Sequence, residues 1–219
     1  MGARVTEGFV LAGGRSSRMG QDKALLQVGG RSLVGIALDK LRSIGVAAPR
    51  IAGARTDLSS HAPVVPDLHP GCGPLSGIEG ALTASSQPLN LFLPVDMPLL
   101  PARFLSWMLL RAEITGALLT VPRINGQPQP LCAVYHRDLL VPITASLLAG
   151  DYKVMAVVSA AAGQSQSASQ MVDVFDTERL ASIHPELLGL SPVPLHRWFH
   201  NCNLPEDMAA IENALVLRQ

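Results

Sequence analysis

The stretch Phe9–Leu26, FVLAGGRSSRMGQDKALL, decides how the rest of the chain is read. Phe9, Val10 and Leu11 form an apolar run of the kind that ends a buried strand. The chain then breaks into Ala12-Gly13-Gly14, passes through Arg15-Ser16-Ser17-Arg18, and reaches Gly20, Asp22 and Lys23. Two adjacent glycines allow a sharp turn and a close approach of backbone to a ligand, because no Cβ intervenes. Successive free N–H groups in such a turn form an anion-binding concavity. Arg18 adds a forked cation and Lys23 a point charge. Together these features suit a nucleoside triphosphate. They are not a P-loop, since five residues separate Gly14 from Gly20 and Gln21 follows. Nor do they supply the G-x-G-x-x-G of a dinucleotide site. Ser16 and Ser17 lack the G-x-S-x-G context of a nucleophile and fit phosphate binding or the turn.

Around this stretch, apolar segments alternate with helical patterns. A strand is expected near Val5–Leu11 and an amphipathic helix over Leu33–Ile44, closed by Gly45. Arg50–Ala54 and Ala62–Val65 read as short strands, Leu75–Ser85 as a helix, Leu89–Val95 as a central strand and Ala102–Ile114 as a helix. Further on, Ala117–Val121 and Leu131–Tyr135 read as strands flanking a polar loop, Arg123–Pro130. Helices are expected over Asp138–Leu148, Tyr152–Ser159 and Pro205–Leu217, and strands over Val172–Phe175 and Trp198–Cys202. Gly163–Gln170 is a polar, low-complexity loop, and 184–196, with three prolines, resists assignment. This alternation predicts an α/β fold, a mainly parallel twisted sheet covered by helices on both faces. Ligands in such sheets bind outside the carboxyl ends of the strands. Gly13-Gly14, Asp67 and Asp96 each follow a predicted strand and are expected at one edge.

With 219 residues, 48% of them apolar, the chain fits a single domain with a sizeable core. Seventeen basic residues balance seventeen acidic ones, and no basic stripe marks a nucleic-acid partner. Three cysteines, Cys72, Cys132 and Cys202, fall in no C-x-x-C spacing and fit buried thiols in a reducing compartment. The N-terminus lacks a signal-peptide pattern, and no apolar run reaches the ~18 residues of a membrane span. A cytoplasmic location is therefore expected, with neither membrane nor nucleic acid as partner. His196 and His200 stand four apart with no evident third ligand, and read as surface or packing residues.

Two carboxylates carry alternatives. Asp96 ends the apolar run LFLPVD, where an isolated charge is costly. It either ligates Mg²⁺, caps the helix starting near Pro101, or pairs with a neighbour. Asp67, in Pro66-Asp67 before a loop, is either a turn or cap residue or a nucleotide contact.

LAGGRSSRMGQDKALL resembles the signature L-A-G-G-x-S-x-R-M-G-x-D-K-x-L of the molybdenum cofactor guanylyltransferases, the MobA family of the nucleotidyltransferase superfamily. PDLHPGCGPLSGIEGAL resembles the family's D-x-x-x-G-x-G-P-L-x-G loop, and LPVDMPLLP its P-C-D-M-P-x-L-P segment. NCNLPEDM, from Asn201 to Met208, is similar to N-x-N-T-P-E-D-L, and GQPQPLCAVYHRDLL to P-x-P-L-x-A-L-Y-x-x-x-L. The resemblance implies a Rossmann-like three-layer fold, similar to the nucleotide-diphospho-sugar transferases. It implies a nucleotide-binding part over about 1–115 and an acceptor-binding part over about 116–219. Transfer of GMP from MgGTP to the phosphate of molybdopterin is the implied reaction, with pyrophosphate released. Nucleotide binding then falls to Leu11, Ala12, Gly13, Gly14, Arg18, Lys23, Asp67 and Asp96. Catalysis falls to Lys23, Arg18 and Asp96, metal binding to Asp96, and acceptor binding to Asn201 and Asn203.

Rivals are a CTP-using enzyme, against which L-A-G-G rather than L-A-A-G argues, a guanylyltransferase acting on another phosphorylated small molecule, and a GTP-binding regulatory protein without turnover. Cofactor-pathway and molybdoenzyme-maturation proteins are the implied protein partners. Three departures from the family pattern stand out. Leu204 replaces the usual Thr, the IAGA stretch around Gly53 offers no polar residue where the family often has one, and 163–196 is longer than usual.

Overall fold

A computed structural model of the chain describes residues 6–13, 22–156, 172–184 and 193–202, together with 207 and 211. In order these form β1 (Thr6–Leu11), a 3-10 turn (Lys23–Leu25), β2 (Gln27–Val28), β3 (Arg31–Ser32), α1 (Leu33–Ser43), β4 (Arg50–Ala52), β5 (Val64–Val65) and α2 (Pro74–Ala84). They continue with β6 (Leu89–Pro94), α3 (Ala102–Thr115), β7 (Leu119–Ile124), β8 (Gln127–Pro128), β9 (Ala133–His136), α4 (Leu140–Leu148), β10 (Val172–Asp176), α5 (Thr177–Ile183) and α6 (Leu195–Trp198). β2 and β3 form a separate hairpin. The other eight strands form one sheet in the order β10-β7-β9-β6-β1-β4-β5, with β8 paired to β7. Only β8 and β9 run against the rest. The carboxyl ends of β1, β4, β5, β6, β7 and β10 therefore share one edge.

Strand alternation divides the core into two layers. Val10, Leu91 and Leu93 face α1 and α3, whose Leu38, Leu41, Phe104 and Met108 are almost fully buried. Phe9, Leu11 and Phe92 face the opposite way, against Leu75, Ile78 and Leu82 of α2 and Ile143 of α4. Phe9 stacks on Phe92 at 5.3 Å, and Phe92 meets the edge of Tyr135 at 5.1 Å. Helix ends follow local chemistry. The Ser32 hydroxyl caps α1 by accepting from Gly35 N–H at 3.2 Å, and Gly116 closes α3 with φ +63°.

The elements expected before residue 116 are present, with ends shifted by a residue or two. Beyond that point the structure corrects several expectations. Arg123–Pro130 is not one loop: β7 continues to Ile124, turns at Asn125-Gly126, and returns as β8. β9 is antiparallel to both neighbours because only residues 125–132 separate it from β7, too few for a crossover. Trp198–Cys202 is not a strand. Trp198 ends α6, and Trp198 and Phe199 both pack on Phe104, at 5.5 and 5.7 Å, which strand alternation would forbid. Helix α5 was not anticipated, having only Thr177 and Leu180 buried. Of Tyr152–Ser159, residues 154–156 are helical; the remainder past 156, Gly163–Gln170 and most of 205–217 lie outside the described residues. No helix among the described residues is long and apolar enough to cross a membrane.

Helix α2 is held unusually close to the segment that carries Asp67. A Cβ on Gly80 would stand 2.5 Å from the carbonyl oxygen of Pro66. Gly80→Ala should therefore destabilise the fold despite the better helix propensity of alanine. Propensity offers about 1 kcal/mol, whereas overpacking against backbone costs about 1–3 kcal/mol. A net loss in urea denaturation is expected, and a more stable variant would contradict this packing.

Candidate functional site

Four strand ends lie consecutively along the shared edge: β5, β4, β1 and β6. Beyond them come Asp67, Gly53, Gly13 and Asp96 in the same order. Val95 N–H donates to the Leu11 carbonyl at 3.1 Å, so β6 stays paired to β1 until just before Asp96. Leu11 and Ala12 are buried, whereas Gly13 is exposed and a Cβ there would meet nothing within 4 Å. The space above Gly13 is open. Gly53 backs it from β4, at φ +131°, a conformation that favours glycine. A Cβ at that position would lie 3.4 Å from Gly13 N and Cα. A side chain at 53 would be strained in this backbone conformation.

Lys23 and Asp96, 73 positions apart, meet here. Lys23 Nζ donates to Asp96 Oδ2 at 2.7 Å, with side-chain exposures of 15% and 22%. Of the readings open to Asp96, capping α3 is excluded, since the cap position is Pro101 and no side chain bonds there. The turn after Asp96 is held by Lys40 of α1, which donates to the carbonyls of Met97 at 3.2 Å and Pro98 at 2.5 Å. Lys23 is set by Asp22, whose carboxylate caps the 3-10 turn by accepting from Ala24 N–H at 3.0 Å.

Asp67 lies on the other side of Gly13. Its Oδ1 would be 3.3 Å from a Cβ on Gly77, so that glycine makes room for it at the start of α2. Burial raises the Asp67 pKa above its ordinary range, partly countered by the backbone amide of Ala54. The folded state thus favours the protonated carboxyl. Stability should fall as pH rises from near 4 through the raised value, then level off. Asp67→Asn should accordingly gain on the native chain over that interval in urea denaturation at stepped pH. A pH-independent difference would contradict the assignment.

The loop carrying Asp67 is braced by a cluster that the sequence did not reveal. Glu79 of α2, only 1% exposed, takes His69 Nδ1 on one oxygen and the Thr144 hydroxyl of α4 on the other, both at 2.7 Å. Arg55 was missed too; it is 4% exposed and binds Asp22, Asp57 and the Ala12 carbonyl. Nothing local marks such residues, because their partners are distant in sequence.

At the end of β7, the same edge holds a cavity of about 440 Å³. Ile124, Asn125, Phe199, His200, Asn201 and Asp207 line it, with His196 at its margin. His200 Nε2 lies 2.8 Å from Asp207 Oδ1. Cys202, two residues past His200, donates its N–H to the Asp96 carbonyl at 2.9 Å, joining this wall to the Lys23–Asp96 pair. Burial raises the Cys202 thiol to about 11 and Cys132 to about 12, so both stay protonated near neutral pH. Gly14, Arg18 and Asn203, expected to share these roles, lie outside the described residues. Among the described residues no group of three or more His, Cys, Asp or Glu gathers as a metal cage.

A mostly parallel sheet with an exposed glycine, a lysine and carboxylates at its carboxyl edge has the layout in which α/β proteins bind ligands. Residues 8–168 match the MobA-like NTP transferase domain model, and the chain belongs to that family. It is 38% identical over 149 residues to a probable molybdenum cofactor guanylyltransferase of Pelotomaculum thermopropionicum, covering 68% of this chain and 72% of that one. It is 32% identical over 205 residues to the molybdenum cofactor guanylyltransferase of Xanthomonas euvesicatoria, covering 93% of each. The fold matches the crystal structure of molybdopterin-guanine dinucleotide biosynthesis protein A from Archaeoglobus fulgidus. The TM-score is 0.73 at 23% identity, over 97% of this chain and 100% of that one.

Proposed function

We propose that this chain is a nucleotidyltransferase that moves GMP from MgGTP to the phosphate of molybdopterin, forming the guanine dinucleotide cofactor and releasing pyrophosphate. The Lys23–Asp96 pair at the open end of β1 carries the reading. The relatives named above lend it support, as molybdenum cofactor guanylyltransferases similar over most of the chain. An acceptor phosphate oxygen attacks Pα of GTP. The new P–O bond closes a phosphoanhydride as the bond from Pα to the bridging oxygen of Pβ breaks. The acceptor is already anionic near neutral pH, so no general base is needed. Positioning and charge neutralisation do the work.

Residues up to about 115 hold the nucleotide and those beyond hold the acceptor. Gly13 gives the nucleotide open backbone, and Asp67 with Gly73–Gly77 flanks its nucleoside end. Arg18 and the Gly13-Gly14 turn hold the triphosphate. With nucleotide bound, Lys23 would pair with phosphate oxygens and Asp96 would be the residue to hold a divalent ion. One carboxylate would be a sufficient protein share for Mg²⁺. When bound, Mg²⁺ neutralises charge on the phosphate oxygens. Asn201 and Asn203 belong to the acceptor side, and the adjoining cavity has the size and mixed polar and aromatic lining to take a pterin.

The test is a thermal-shift panel of GTP, CTP and ATP with Mg²⁺, followed by pyrophosphate release in the presence of molybdopterin. Stabilisation by GTP alone, with pyrophosphate formed only when both substrates are present, is expected. Preference for CTP would make this a cytidylyltransferase. GTP-dependent stabilisation without product would mark a regulatory binder.

A further inference from the structure

We infer that Arg55 is a positioning residue that sets where Lys23 stands at the nucleotide edge, acting through Asp22 and Ala12. The inference rests on the reading of Lys23 as a phosphate partner. Arg55 follows β4, and its side chain is 5% exposed, a depth at which a cation is kept only if well paired. Its guanidinium reaches in three directions. Nη1 donates to the Ala12 carbonyl at 3.2 Å, where β1 ends. Nη2 donates to the Asp22 carboxylate, where the turn bearing Lys23 begins. Nε and Nη2 donate to Asp57 at 2.9 and 2.8 Å, on the outer side. These pairings with Asp57 and Asp22 raise the Arg55 pKa, so the charge is permanent.

One planar group therefore fixes the separation between the end of β1 and the start of the Lys23 turn. Asp22 uses its other oxygen, Oδ1, to cap that turn at Ala24 N–H. The orientation of the turn, and with it Lys23, is thus tied to Arg55 through a single carboxylate. Asp57, by contrast, is 55% exposed and grips the same guanidinium from its outer side. A lysine at 55 would keep the charge but could not fork among three acceptors.

The contrast between the two carboxylates supplies the test. Asp22→Asn, Asp57→Asn, Arg55→Lys and Arg55→Met are compared in the full chain. MgGTP affinity is read by calorimetry and turnover by pyrophosphate release, with melting temperature as control. Asp22→Asn and both Arg55 variants are expected to weaken nucleotide affinity or turnover roughly ten-fold, as for coupled members of one network. Asp57→Asn is expected to stay within about two-fold of the native chain. In a Lys23→Ala background the Asp22→Asn and Arg55→Met effects should largely vanish, because both act through Lys23. A purely architectural Arg55 would make Asp22→Asn and Asp57→Asn alike, or leave the effects undiminished without Lys23; either result overturns the inference. Should Arg55→Met fail to fold, Asp22→Asn with Lys23→Ala still decides. If the native chain binds CTP instead, the same ratios are read with CTP, so failure of the guanylyl reading is distinguishable from failure of this one.

Discussion

Lys23→Ala is expected to lower pyrophosphate release roughly 10²–10³-fold, the usual loss when one preorganised electrostatic contact to a transition state is removed. The lysine is placed for this task by three independent features. Its turn is capped by Asp22, its ammonium lies 2.7 Å from Asp96, and Arg55 ties that turn to Ala12, next to the exposed Gly13. Here the ammonium is neutralised by a carboxylate, and on the proposed function phosphate oxygens take its place when substrate binds. Losing the lysine strands Asp96, but that carboxylate keeps 22% of its side-chain surface in water. The cost to folding should then be about 1–3 kcal/mol, a fall in melting temperature of about 2–4 °C per kcal/mol in a chain of this size. A folded variant with near-native turnover would remove Lys23 from the mechanism.

Asp96→Asn should be comparably severe, again roughly 10²–10³-fold in turnover, for a complementary reason. Asparagine keeps the shape of the turn held by Lys40 but gives up the charge a divalent ion requires. The variant should need much more Mg²⁺ to reach half-maximal rate, a readout that Lys23→Ala should move far less. The double variant Lys23→Ala/Asp96→Ala should be little worse than either single change, since both residues serve the same developing charge. Fully multiplicative losses would separate their roles. An unchanged Mg²⁺ requirement in Asp96→Asn would take the metal away from this residue.

The parts legible in the sequence were those carried by local pattern. The run Phe9–Leu11 before two glycines marked β1, and the apolar run Leu89–Val95 announced the central strand that the structure shows as Leu89–Pro94. That Gly13, Asp67 and Asp96 share an edge followed from strands alternating with helices. The reversal of β9 was legible in principle, because residues 125–132 cannot hold a crossover. Trp198–Cys202 misled because its aromatic residues mimic a strand, whereas both rings seek one partner, Phe104. What sequence could not convey is the support beneath the site. Arg55 reaches carbonyl and carboxylate partners 43 and 33 positions away, and Lys40 spans more than 50 to the Met97-Pro98 turn. Such residues carry no motif of their own, since their partners are set by the fold. His196 and His200, which read as surface or packing residues, are exposed, and they also line the cavity beside Asn201.

The most direct measurement is a crystal structure of the chain with GTP and Mn²⁺, the metal located by its anomalous signal. A manganese peak beside the Asp96 carboxylate is expected, with the Lys23–Asp96 bond opened, Lys23 Nζ on the phosphates and the nucleoside reaching toward Asp67. Metal and triphosphate bound elsewhere, with Lys23 still 2.7 Å from Asp96, would contradict it.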